Sequence, residues 1–216
     1  MYPRENLRRA MALYAVTDRM WLGERTLSAC VEEALAGGAT FLQLREKDAL
    51  QAEVVLRARA LAPLARAAGV PFVVNDDVEA AARAGADGVH VGQEDAACAD
   101  ARAKLGPDAI VGVSVQTVEQ ALAAQAAGAD YLGVGAVFGT PTKPDAADVG
   151  TDGLAAICAA VDVPVVAIGG LNEQTIPALA GTGADGAAVV SAIFAADDIE
   201  ATTRRLRAAV QAALGA

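Results

Sequence analysis

At 216 residues, 54% hydrophobic and 20% charged, the chain has enough apolar material for a substantial core and too little charge to stay disordered. A net charge of -10 sets the surface as a whole against nucleic acid and anionic membrane. No apolar run approaches a bilayer span, and the charged opening MYPRENLRRA has no signal-like apolar stretch, so a cytoplasmic protein is expected. Cys30, Cys98 and Cys158 are widely spaced, with no CxxC and a single histidine in the chain, which argues against zinc and a disulfide framework and leaves them as small apolar fillers of helices.

An N-terminal extension, residues 1–12, precedes the first of eight short β-branched runs: LYAVTD, FLQLRE, FVVND, GVHVGQ, IVGVSV, YLGVGAVF, VPVVAIGG and GAAVVSAIF. Each is followed by an alanine-rich stretch of helical period, so the pattern is eight βα units. Asp48 with Gln51, Thr117 with Gln120 and Asp197 with Glu200 have capping-box spacing, and Asn172 can cap the stretch after VPVVAIGG. The runs are almost continuously apolar, as in a parallel sheet covered on both faces. The sequence AGGAT before the second run returns as AGADG, AGADY and TGADG before the fourth, sixth and eighth. Eight regular units with this two-unit echo predict one domain over 1–216, a closed (β/α)₈ barrel, with a doubly wound open sheet as the alternative.

Barrel chemistry sits at the C-terminal ends of the strands. In the second run Gln43, Arg45 and Lys47 share the interior face by strand alternation, while Leu42 and Leu44 face the helices. Arg45 and Lys47 then require an anion, or else a salt bridge to Glu46 or Asp48 at the rim. The third run ends in Asn75, Asp76 and Asp77, and Gln93, Glu94 and Asp95 follow the fourth. Two carboxylates from neighbouring strand ends, with no histidine or thiol, suit Mg²⁺ completed by substrate phosphates. Capping a helix is the other use of such acids, and it is the one expected of Asp77.

After the sixth run, Gly139, Thr140, Pro141, Thr142, Lys143 and Pro144 combine hydroxyls, a cation and stiff turns in one anion-ready loop. Only three of the 17 basic residues are lysines, yet Lys47 and Lys143 both stand in candidate site segments. Gly169 and Gly170 end the seventh run and Val190 and Ser191 the eighth, where backbone amides form the usual phosphate pocket of such barrels. Ser114, on the same face as Gly112, can donate inward or bond to backbone, and His90 reads as a core histidine.

The segments QLREK, VNDD, GVHVGQED, GVS, GTPTKPDA and IGGL, in this order at these strand ends, resemble the thiamine phosphate synthase family over nearly the whole chain. The resemblance implies a transferase joining a pyrimidine diphosphate to a thiazole phosphate with release of diphosphate. It implies that Gln43, Leu44, Arg45, Glu46, Lys47, Asn75, Ser114 and Lys143 hold the pyrimidine diphosphate, with Arg45, Lys47, Ser114 and Lys143 taking part in catalysis. Asp76 and Asp95 would bind Mg²⁺, and Thr140, Thr142, Gly170, Val190 and Ser191 the thiazole phosphate. A homodimer follows from family habit alone. Where many members carry histidine two residues after the serine of GVS, this chain has Gln116. Nothing is carried over to Tyr14 or Asp18. The alternatives are a thiazole tautomerase-like barrel, another phosphate-binding barrel enzyme, and a noncatalytic binding barrel.

Overall fold

The computed structural model describes residues 2–92, 98–139 and 149–215. Eight parallel strands close on themselves in sequence order: β1 (Leu13–Val16), β2 (Phe41–Leu44), β3 (Phe72–Asn75), β4 (Gly88–Val91), β5 (Ile110–Val115), β6 (Tyr131–Val134), β7 (Val165–Ile168) and β8 (Gly186–Val189), with β8 pairing back to β1. The closed barrel replaces the open-sheet alternative. The nine helices among the described residues are α1 (Leu7–Ala10), α2 (Leu27–Ala36), α3 (Gln51–Ala67), α4 (Val78–Ala84), α5 (Cys98–Leu105), α6 (Val118–Ala126), α7 (Gly150–Ala160), α8 (Ser191–Phe194) and α9 (Ile199–Leu214). None is long and apolar enough to cross a membrane.

Strand alternation divides the core in two. Leu13, Ala15, Leu42, Leu44, Val74, Val89, Val111 and Leu132 face outward and pack against the helices in one large cluster. Tyr14, Val16, Phe41, Val73, Ile110, Tyr131, Val166 and Ala188 face inward and fill the barrel. At the N-terminal end Leu7, Ala10 and Met11 join that inner cluster, so the N-terminal extension is the barrel's floor. Cys30, Cys98 and Cys158 are free thiols in α2, α5 and α7, and burial pushes all three above the ordinary thiol pKa, Cys158 to about 11.

The repeated turn before each even strand has a mechanical purpose. Thr40, Asp87, Asp130 and Asp185 donate their own N–H to the carbonyls of Leu13, Phe72, Val111 and Val165. The side chain of each then accepts the N–H of that same residue: Thr40 Oγ1 from Leu13 at 2.8 Å, Asp87 Oδ2 from Phe72 at 3.0 Å, Asp130 Oδ2 from Val111 at 2.7 Å and Asp185 Oδ2 from Val165 at 2.8 Å. Each clamp satisfies a buried strand-end amide that would otherwise lack a partner. The aspartates also anchor the floor, because Asp87 accepts the N–H of Tyr2 while Asp130 and Asp185 pair with Arg4 and Arg8.

Several helix starts differ from the sequence expectation. Asp77 caps α4 and Thr117 caps α6 as expected, each accepting from the third residue of its helix. The side chain of Gln120 reaches the N–H of Gln116 rather than that of Thr117, so that capping box is offset by one. Asp198, not Asp197, caps α9, accepting from Ala201. Helix α3 begins after Leu50 instead of at Asp48, and Glu53 reaches back to the Leu50 N–H. A leucine side chain has no acceptor, so only half of a capping box exists there. The stretch after β7 makes a single 3₁₀ turn, Ile176–Leu179, in place of a full helix. Asn172 Oδ1 accepts from Gln174 and Thr175 in a local turn, and Pro177 and Gly181 leave too short a segment for α-helix.

Candidate active site

Of the polar residues expected at the strand ends, Gln43 and Ser114 are connected through the barrel interior. Gln43 follows Phe41 on the interior face of β2, is only 4% exposed, and donates from Nε2 to Tyr14 Oη at 2.7 Å. Tyr14 Oη lies 2.8 Å from Tyr131 Oη. Tyr131 Oη meets His90 Nδ1 at 2.9 Å, and His90 Nε2 meets Ser114 Oγ at 2.9 Å. A continuous line of hydrogen bonds thus crosses the barrel interior from β2 to β5. Gly112 makes room for it, since a Cβ there would overlap the Tyr131 ring. His90 is a buried interior residue, and it is also the link between Ser114 and the tyrosines. Burial raises both tyrosines well above the usual phenol pKa, so both remain protonated at neutral pH.

Arg45 sits at the end of β2, where Asp18 Oδ2 accepts from its Nη1 at 3.1 Å and Thr17 Oγ1 accepts its backbone N–H at 3.0 Å. Neither Glu46 nor Asp48 is its partner. Asp18 is held in turn by the N–H of Met20. The guanidinium is therefore oriented by β1 with donors left for an anion. Lys47 lies exposed just beyond it. Leu44 and Glu46 have the opposite parity: Leu44 belongs to the outer core, and the Glu46 carboxylate accepts from Arg19 Nε at 2.7 Å and Arg57 Nη1 at 3.1 Å. Any part these two play in binding falls to their backbone. The sequence reading gave Asp18 and Tyr14 no role, although Asp18 met the same test of a polar residue at a strand end.

At β3 the Asn75 amide donates to the Asp76 carboxylate, and Asp76 itself has φ of 63°, a left-handed conformation that aspartate tolerates better than most residues. Its N–H bonds to the His90 carbonyl at 2.8 Å, which ties the β3 end to β4. Oxygen donors alone at this position fit a hard cation such as Mg²⁺. No cluster of three or more His, Cys, Asp or Glu suited to a metal occurs among the described residues. Asp95, Thr140, Thr142 and Lys143, together with Gln93 and Glu94, lie outside the described residues.

At β7, Gly169 and Gly170 have φ of 102° and 65°. A Cβ on Gly170 would stand 2.8 Å from Phe138 Cβ and 2.9 Å from the Gly139 carbonyl oxygen, so this glycine lets the segment after β6 lie against the end of β7. Two hydrogen bonds fix that approach, from Val137 N to the Ile168 carbonyl at 2.9 Å and from Phe138 N to the Gly169 carbonyl at 3.2 Å. Val190 borders the inner cluster, and Ser191 opens α8. Gln116 is fixed by its backbone to Gln120 at the start of α6.

This arrangement has relatives. A family model described as thiamine monophosphate synthase matches residues 13–193. A thiamine-phosphate synthase of Chloroflexus aurantiacus is 50% identical over 199 residues, covering 92% of this chain and 92% of its own length. One from Roseiflexus sp. strain RS-1 is 49% identical over 203 residues, covering 94% of this chain and 86% of its own. The solved structure of a thiamine phosphate pyrophosphorylase from Pyrococcus furiosus superposes with a TM-score of 0.90 at 41% identity, over 97% of this chain and 100% of that one. With the match running from the first strand into α8, and the same barrel seen in a relative of this similarity, the chain belongs to the thiamine monophosphate synthase family.

Proposed function

We propose that this barrel is a thiamine-phosphate synthase that condenses 4-amino-2-methyl-5-hydroxymethylpyrimidine diphosphate with 4-methyl-5-(2-hydroxyethyl)thiazole phosphate, or its carboxylated tautomer, giving thiamine phosphate and diphosphate. The observation that carries this reading is the convergence of Gln43, Arg45, Asn75 and Ser114 at one mouth of the barrel, on a chain whose relatives over more than nine-tenths of its length are synthases.

The bond between the pyrimidine methylene carbon and the diphosphate oxygen breaks, and its electron pair leaves with diphosphate. The thiazole nitrogen then supplies its lone pair to the methylene cation. Negative charge grows on the leaving group, so the useful groups are fixed cations and hydrogen-bond donors. Arg45, pre-aimed by Asp18, Lys47 and, in the sequence after β6, Lys143 supply that charge. Asp76 and Asp95 would hold Mg²⁺, whose chemistry there is to neutralise diphosphate oxygens. Gln43, Asn75 and Ser114 orient the pyrimidine. Thr140, Thr142 and the backbone at Gly170, Val190 and Ser191 anchor the thiazole phosphate, which places its nitrogen near the short-lived cation. No strong general base is needed, in keeping with a single histidine that is already engaged at both nitrogens.

The test is an endpoint assay with both substrates and Mg²⁺, following thiamine phosphate and diphosphate. Equal amounts of the two products, abolished by EDTA and by Asp76→Ala, support the synthase and its metal. Binding of both substrates without condensation rejects it in favour of a tautomerase-like or purely binding barrel.

A further inference from the structure

We propose that Arg25 is a positioning residue that fixes the spacing between the two substrates: its guanidinium ties the turn after β1, which aims Arg45, to the turn after β8, which begins with Val190 and Ser191. This deepens the proposed function and rests on it for the reacting groups.

The two turns leave neighbouring strands. Ala15 of β1 stands opposite Val189 of β8 at the end of their ladder. Beyond that pair the β1 chain passes through Asp18 into a 3₁₀ turn, Arg19–Trp21, and the β8 chain passes through Val190 into α8. Arg25 joins them. Its Nε donates to the Leu22 carbonyl at 3.2 Å and its Nη2 to the Trp21 carbonyl at 3.1 Å. On the other side Nη2 donates to the Phe194 carbonyl at 3.2 Å and Nη1 to the Ala196 carbonyl at 2.8 Å.

Each turn is short enough that holding one end holds the other. The Asp18 carboxylate accepts from both the Met20 N–H and Arg45, and the carbonyl of the next residue, Trp21, is one that Arg25 grips. After β8, the Phe194 N–H bonds to the Val190 carbonyl at 3.0 Å and the Ala195 N–H to the Ser191 carbonyl at 2.8 Å, with Ile193 and Phe194 fully buried. Helix α8 has 4 residues and rises only about 6 Å, so Val190 and Ser191 move with the carbonyls that Arg25 holds. Among the described residues, every hydrogen bond of the Arg25 side chain goes to a main-chain carbonyl, with no carboxylate paired to it. The residue is used as a flat fork with donors in several directions, which the single nitrogen of lysine cannot reproduce.

Spacing decides the fate of the methylene cation. If the thiazole nitrogen is in contact, its lone pair forms the C–N bond of thiamine phosphate. If water attacks instead, its oxygen forms a C–O bond, a proton leaves to solvent, and hydroxymethylpyrimidine results. Diphosphate is released in both cases, so the ratio of diphosphate to thiamine phosphate reads how well the nitrogen is placed.

Arg25→Lys keeps the charge and the stem and loses the fork, and the neutral, shorter Arg25→Gln serves as a second variant. In both, diphosphate should rise from equality with thiamine phosphate to an excess of about twofold or more at saturating substrates, with hydroxymethylpyrimidine making up the difference. Arg102→Lys is the control: Arg102 grips the Gly106 and Gly128 carbonyls beside Asp130 at the floor of the barrel, so its loss should lower Tm and leave the products equal. Equal products in the Arg25 variants, or the same excess in Arg102→Lys, reject the proposal. Hydrogen exchange read by mass spectrometry on the substrate-free proteins tests the tie without catalysis. Arg25→Lys should speed exchange in segments 19–25 and 190–198 together, and faster exchange in one alone, or in neither, also overturns the proposal. Joint acceleration in a protein whose wild type makes no thiamine phosphate leaves the tie standing and rejects the synthase reading.

Discussion

Replacing Asp130 with alanine removes three interactions at once, and the structure ranks them. Oδ2 accepts the Val111 N–H at 2.7 Å and Arg102 Nη2 at 2.6 Å, while Oδ1 lies 3.0 Å from Arg4 Nη2. Val111 is fully buried, so its amide would lose a charged acceptor with no water to replace it, a loss of about 1.5–3 kcal/mol. The two ion pairs lie at the rim, with Arg4 43% exposed, and contribute about 0–1 kcal/mol each. Arg102 also retains the Gly106 and Gly128 carbonyls as acceptors, so its charge is not stranded. The expected loss is about 2–4 kcal/mol, which for a domain of this size lowers Tm by about 5–15 °C. Asp130→Asn keeps an oxygen for Val111 and should lose only about 1 kcal/mol. Urea titration and calorimetry on both variants, with Arg4→Ala alongside, measure this. Equal destabilisation by Asn and Ala would refute the reasoning, because charge and not the backbone clamp would then dominate.

Alkaline stability should report the two buried phenols. Their folded pKa values are raised above the unfolded value near 10, so their stability is fully present below about pH 10 and is lost above it, where only the unfolded chain releases protons; the slope reaches about 2.7 kcal/mol per pH unit and falls by about half in Tyr131→Phe, read from urea midpoints between pH 9 and 11.5. Gly170→Ala puts a Cβ on a left-handed backbone and against Phe138, which should cost about 1–3 kcal/mol in thermal unfolding and raise KM for the thiazole phosphate more than for the pyrimidine. Arg45→Lys cannot reach Asp18 and diphosphate together through a flat fork, so kcat/KM should fall by about tenfold or more in steady-state kinetics with little change in Tm.

The eight strand runs, the outward leucines of β2 and the inward Gln43 were legible in the sequence because alternation is a local property of extended chain. The AGAD echo was visible too, but only as a repeat, since the amide that each aspartate clamps belongs to the preceding strand across a helix. The polar strand ends came from the run pattern and the family from motif order, whereas Asp18, at the end of β1, took on meaning only when β1 and β2 paired and set it beside Arg45. The same holds for the parity of Glu46, whose partners Arg19 and Arg57 come from segments on either side of β2. The line of hydrogen bonds across the interior was the least legible: Tyr14 and Tyr131 are 117 positions apart, and Gln43, His90 and Ser114 join them only because the barrel closes. A sequence determines which face of its strand a side chain occupies. Which hydroxyl or imidazole it then meets is decided by the barrel's closure and register, and hydrogen bonds, reaching only about 3 Å, depend on that outcome.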